Sequence, residues 1–86
     1  MADYKLYKQN GALMIWRDTF PRFSARIDWH HPTSVLQDIE REDAVMITDA
    51  GELVSFWARV MHDAGKWLAE QPECPLNVRG SENSRE

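Results

Sequence analysis

Asn10-Gly11 is the pair that most restricts what this chain can fold into. A two-residue type I′ turn needs positive φ at both central positions, and Asn-Gly supplies it at the least steric cost. β-prone runs flank the pair, Tyr4 to Gln9 before it and Ala12 to Arg17 after it. The turn then sets the register. Gln9 is expected opposite Ala12, Tyr7 opposite Met14, Leu6 opposite Ile15, Lys5 opposite Trp16 and Tyr4 opposite Arg17. A break follows at Asp18-Thr19-Phe20-Pro21. Beyond it Phe23, Ala25, Ile27 and Trp29 alternate with Arg22, Ser24, Arg26, Asp28 and His30. Strict alternation marks a half-buried strand, so the first thirty residues read as a three-stranded antiparallel meander.

The next segment is less regular. Ser34 and Gln37 have capping-box spacing, and Val35, Leu36 and Ile39 form a short apolar stripe. This predicts a short helix or helical turn from Ser34 to Arg41. Ala44 to Thr48 is apolar and β-prone, either a fourth strand or an early helical turn. Asp49 and Glu52 then repeat the cap spacing. Leu53, Trp57, Val60, Met61, Ala64, Trp67 and Leu68 fall on one face of a helix of about five turns. It is expected to run to Gln71, because Pro72 stops it. Gly65 inside it costs about 1 kcal/mol relative to Ala and is expected to allow close approach to the sheet.

The fold class that follows is α+β in two layers. A three- to four-stranded antiparallel sheet is packed on one face by a long C-terminal helix. With 86 residues the chain is expected to form one domain over 1–75, followed by a polar, disordered tail over 76–86. So short a chain buries only about 60–65% of its unfolded surface, and its core is small.

Charge and cysteine content narrow the setting. A net charge of −4 argues against general nucleic-acid binding, which depends on neutralising phosphates. Residues 1–31 hold five Lys/Arg against three Asp/Glu, and residues 32–86 hold five against eleven. The single cysteine, Cys74, forms no intrachain disulfide and suits a reducing cytoplasm. It is read as an inert thiol between Pro72 and Pro75. No segment approaches the length of a membrane span, and no apolar secretion signal opens the chain.

The hairpin register also divides the side chains between two faces. Tyr4, Leu6, Leu13 and Ile15 share one with Phe23, Ala25, Ile27 and Trp29, where the helix is expected. Tyr7, Met14 and Trp16 share the other with Arg22 and Arg26. These are the residue types enriched at binding hot spots. That face is expected to be a contact surface for another protein or a second copy of the chain. The competing readings are that the 34–41 segment or the tail folds over it, or that Tyr7 and Trp16 merely cap the sheet edge. A homodimer through the face or its edge is expected, with Arg26 of one copy near Asp28 of the other. The fallback contact is the flank of the long helix at Val54, Phe56 and Met61.

Three clusters carry groups suited to chemistry or charge. Asp28, His30 and His31 offer carboxylate and imidazole at a strand end, as a metal or acid/base site would require. Adjacent strand residues point to opposite faces, so His30 and His31 do not converge unless the loop bends. His62-Asp63 lies on the helix; His62 points to water, and Asp63 is expected to pair with Lys66 on the surface. Asp38, Glu40, Glu42 and Asp43 form an acidic run, either solvated or complementary to a basic partner.

No phosphate loop, nucleophile elbow or paired-cysteine motif is present, and no catalytic residue, metal ligand or cofactor is assigned. The expected function is a small cytoplasmic interaction module, an adaptor or inhibitor. By analogy of size and charge alone it resembles the short acidic blocking proteins of phages and mobile elements. The rival readings are a small metal-dependent enzyme or ligand-binding protein built on the Asp28/His30/His31 cluster, and a single-stranded nucleic-acid binder using arginines beside aromatics.

Overall fold

The computed structural model describes residues 2–75, so the expected tail over 76–86 lies outside the described residues. Four strands, β1 (Tyr4–Gln9), β2 (Ala12–Arg17), β3 (Phe23–Ile27) and β4 (Leu36–Arg41), form one antiparallel sheet in the order β1-β2-β3-β4. One helix, α1 (Ala50–Ala69), lies against one face. The chain is thus a two-layer α+β fold.

The hairpin has the register that Asn10-Gly11 dictates. Asn10 has φ 53° and Gly11 φ 81°, and every pair from Tyr4–Arg17 to Gln9–Ala12 is in place. The link to β3 contains a cis Phe20–Pro21 peptide, with Pro21 buried.

The helix expected over Ser34–Arg41 is instead β4. The Ser34–Gln37 spacing does form local bonds, but of another kind. Ser34 Oγ accepts from the Leu36 amide at 3.3 Å, and Gln37 Nε2 donates to the Ser34 carbonyl at 2.7 Å. Such side-chain-to-backbone bonds compete with helix rather than start it. The outer edge of β3 offers a ladder that a short amphipathic stripe does not match. Pairing runs from Ile27–Leu36 to Phe23–Arg41, with a bulge opposite Ser24–Arg26. Asp38 sits in that bulge at φ 53°, a conformation Asp tolerates better than a branched residue does. Ala44 to Thr48 forms neither strand nor helix; it carries the chain from the last sheet bond, Glu42 N–H to the Arg22 carbonyl at 2.8 Å, to the helix cap.

The helix starts as its sequence requires. Asp49 has extended backbone, and its Oδ1 accepts from the Glu52 amide at 2.9 Å. Asp49→Ala is therefore expected to cost about 1 kcal/mol in a urea melt, while Asp49→Ser is nearly neutral. The helix ends at Ala69, two residues short of Gln71. Its inner stripe is Val60, Ala64 and Leu68, packed on Ile15, Phe23, Ala25, Ile27 and Leu36. Leu53 lies half-buried, and Phe56, Trp57, Met61 and Trp67 pack around the rim of this core. Phe56 and Met61 are thus not an exposed flank; only Val54, 69% exposed, is. Gly65 is exposed, and a Cβ built there meets no atom within 4 Å. Close packing does not explain it.

Candidate functional site

The helix α1 covers one side of the sheet. The opposite side carries Tyr7, Met14 and Trp16 from the hairpin, Ser24 and Arg26 from β3, and Gln37 and Glu40 from β4. Among the described residues no element packs over it. The 34–41 segment, a possible cover, lies in the plane of the sheet as β4. Tyr7 is 37% exposed, and Met14 and Trp16 are half-buried by their sheet neighbours alone. The face is ordered in rows. Lys5 pairs with Trp16, Trp16 with Ser24, and Ser24 with Glu40. The next row is Tyr7, Met14, Arg26 and Gln37.

The basic and acidic residues expected as separate patches meet here. Arg22 donates from Nε and Nη2 to the two carboxylate oxygens of Asp43, at 3.2 and 2.8 Å, and its amide adds a bond of 2.9 Å. The side-chain hydrogen bond from Arg22 holds the Asp43 carboxyl below the usual carboxylate range. Arg26 Nε donates to Asp38 Oδ2 at 2.8 Å. The bulge turns Asp38 toward Arg26, so Arg26 is already paired within its own chain and does not await Asp28 of a second copy. Half of the expected acidic patch is neutralised in this way. Glu40 and Glu42 remain, and among the described residues neither they nor Lys5 form an ion pair.

The helix side holds a polar cluster that sequence reasoning placed wrongly. The ion pair expected between Asp63 and Lys66 is not formed; Asp63 turns to the sheet instead. Its Oδ2 accepts from the Tyr4 hydroxyl at 2.7 Å and from Arg17 Nη1 at 3.3 Å. Arg17 also donates to the Tyr4 hydroxyl, to the Thr19 carbonyl at 3.2 Å and to the Phe20 carbonyl at 3.3 Å. The Tyr4 ring lies 5.1 Å from that of Trp67, and the Arg17 guanidinium 5.4 Å from it. The cluster ties β1, β2, the β2–β3 link and α1 together. At the other edge of the sheet Arg41 lies 4.6 Å over the Trp57 ring.

Burial first, then the bond to Asp63, pushes the Tyr4 phenol up from 10.0 to about 12. Because the folded value is the higher one, the cluster's contribution is complete below pH 10 and falls away as pH rises toward about 12. Tyrosinate absorbance is expected to show an ionisation step near pH 12 that Tyr4→Phe removes.

The histidine loop is occupied with its own structure. Asp28 Oδ1 accepts from the His30 amide at 3.1 Å, and His31 Nδ1 accepts from the amides of Thr33 and Ser34, each at 3.3 Å. His31 therefore uses one ring nitrogen to hold the loop, which favours the Nε2–H tautomer. Among the described residues no group of three His, Cys, Asp or Glu side chains is placed to hold a metal. His30 borders an apolar cleft of about 390 Å³, with Trp29, Val35, Leu36, Leu68 and Cys74. Cys74 is buried there. His62 is exposed on the helix, as expected.

Comparison with protein-family models, with curated proteins and with solved structures found no match to this chain. Among the described residues no helix is long and apolar enough to cross a membrane.

Proposed function

We propose that this chain works by binding protein through the uncovered face of its sheet, as an adaptor or inhibitor with no chemistry of its own. The observation that carries this reading is a four-stranded sheet that, among the described residues, has a helix on one side only and an open side centred on Tyr7, Met14 and Trp16. Aromatic, Met and Arg side chains on a rigid surface suit a contact, since little ordering is required on binding. Arg22 and Arg26 are fixed by Asp43 and Asp38, which presents them as a preformed rim.

A photo-cross-linking phenylalanine analogue at position 7, introduced in living cells, tests the reading. The expected result is a discrete protein adduct, with none from the same group at the exposed helix position Val54. Adducts from Val54 and none from position 7 would move the contact to the helix and refute the proposal.

A further inference from the structure

We infer that the partner of this face is a second copy of the chain, stacked face to face about a two-fold axis parallel to the strands; the inference rests on the binding reading above. The argument lies in the row Lys5–Trp16–Ser24–Glu40, which crosses the whole sheet. Its ends carry opposite charges and its middle pairs a large side chain with a small one. A two-fold axis along the strands keeps the row at its own height and reverses its order. Lys5 then faces Glu40 of the second copy, and Trp16 faces Ser24. Each misfit of the single chain, a free charge or an indole raised beside a hydroxymethyl, meets its complement. The adjoining row behaves alike, setting Tyr7 against Gln37 and Met14 along the stem of Arg26.

The other simple stacking has its axis across the strands. It lays β1 on β1 and β4 on β4, and so brings like-charged edges together. Charge therefore selects the first arrangement. Lys5 and Glu40 have no ion-pair partner among the described residues, while Arg22 and Arg26 are already satisfied. The usual twist of aligned sheets, about 30°, shifts residues at the sheet edge by only about 4 Å, within reach of a lysine side chain. Four strands of five or six residues make a small face, so the dimer belongs at the weak end of specific interfaces, in the micromolar range.

Zero-length carbodiimide coupling at about 100 μM protein, where a micromolar dimer is mostly formed, reads this register directly. Lys5 and Glu40 of one chain stand about 14 Å apart across three strand spacings, too far for an amide bond within the chain. The expected product is a Lys5–Glu40 linked peptide that joins light and heavy copies when isotopically mixed protein is used. Lys5→Glu and Glu40→Lys are each expected to weaken the dimer at least about tenfold, and the double swap to restore it. A monomeric wild type at this concentration overturns the proposal. So does a dimer without the link or without rescue. If Trp16→Glu still dissociates that dimer, only the register fails and the face remains the contact; if it does not, the binding reading fails as well.

Discussion

Phe23→Ala is expected to cost about 3–5 kcal/mol, the value for emptying an aromatic site in a closed core. Phe23 is fully buried at the start of the interior strand β3, with Arg17 and Arg41 as its cross-strand neighbours. The helix stripe Val60–Ala64–Leu68 lies over the same core. Neither layer can collapse into the space without breaking the ladder or lifting the helix. Small domains hold only about 5–15 kcal/mol in total, so much of the variant population is expected to be unfolded at modest urea concentrations. Phe23→Leu, which keeps most of the volume, is expected to lose under about 1.5 kcal/mol. A loss under 1 kcal/mol for the alanine variant would mean that the helix does not seal this face.

The second large effect is expected at Arg17. Its side chain is 10% exposed, and it serves Asp63, Tyr4 and two backbone carbonyls of the β2–β3 link. Arg17→Met removes donors from all of these and leaves the Thr19 and Phe20 carbonyls short of partners. Hydrogen bonds to charged groups are worth about 1.5–3 kcal/mol, and the total loss is expected near 3 kcal/mol. Asp63, 57% exposed, falls back on water, so Asp63→Asn is expected to cost clearly less. Arg17→Lys is not expected to rescue, since a single ammonium cannot span the fork of acceptors. Urea denaturation of the three variants gives the order directly. A larger loss for Asp63→Asn than for Arg17→Met would show that the ion pair, rather than the carbonyl bonds, holds the corner.

These two sites also mark what the sequence discloses and what it hides. The inner position of Phe23 follows from alternation, and the hairpin register follows from one dipeptide, because turn chemistry and a period of two are local. That Tyr7, Met14 and Trp16 share the face opposite the helix was legible for the same reason. β4 was not. Its bulge at Asp38 inserts a residue and breaks the alternation by which a strand is recognised. With β4 hidden, Arg22–Asp43 and Arg26–Asp38 were hidden too, and the two charge patches read as separate surfaces. Asp63 was misplaced because it lies at the flank of the helix stripe, four residues before Trp67, where a wheel places residues poorly. The signal that would have found it was Arg17, an arginine on the apolar face that needs an acid from the opposing layer.

Sedimentation equilibrium of the wild type and Trp16→Glu, at about 100 μM so that a micromolar association is populated, tests the open face most directly. The account predicts a dimer for the wild type and a monomer for Trp16→Glu, with similar urea midpoints for the two when both are read at concentrations low enough to be monomeric, because Trp16 lies outside the core. A wild-type dimer that persists in Trp16→Glu would contradict it and place the contact away from the sheet face.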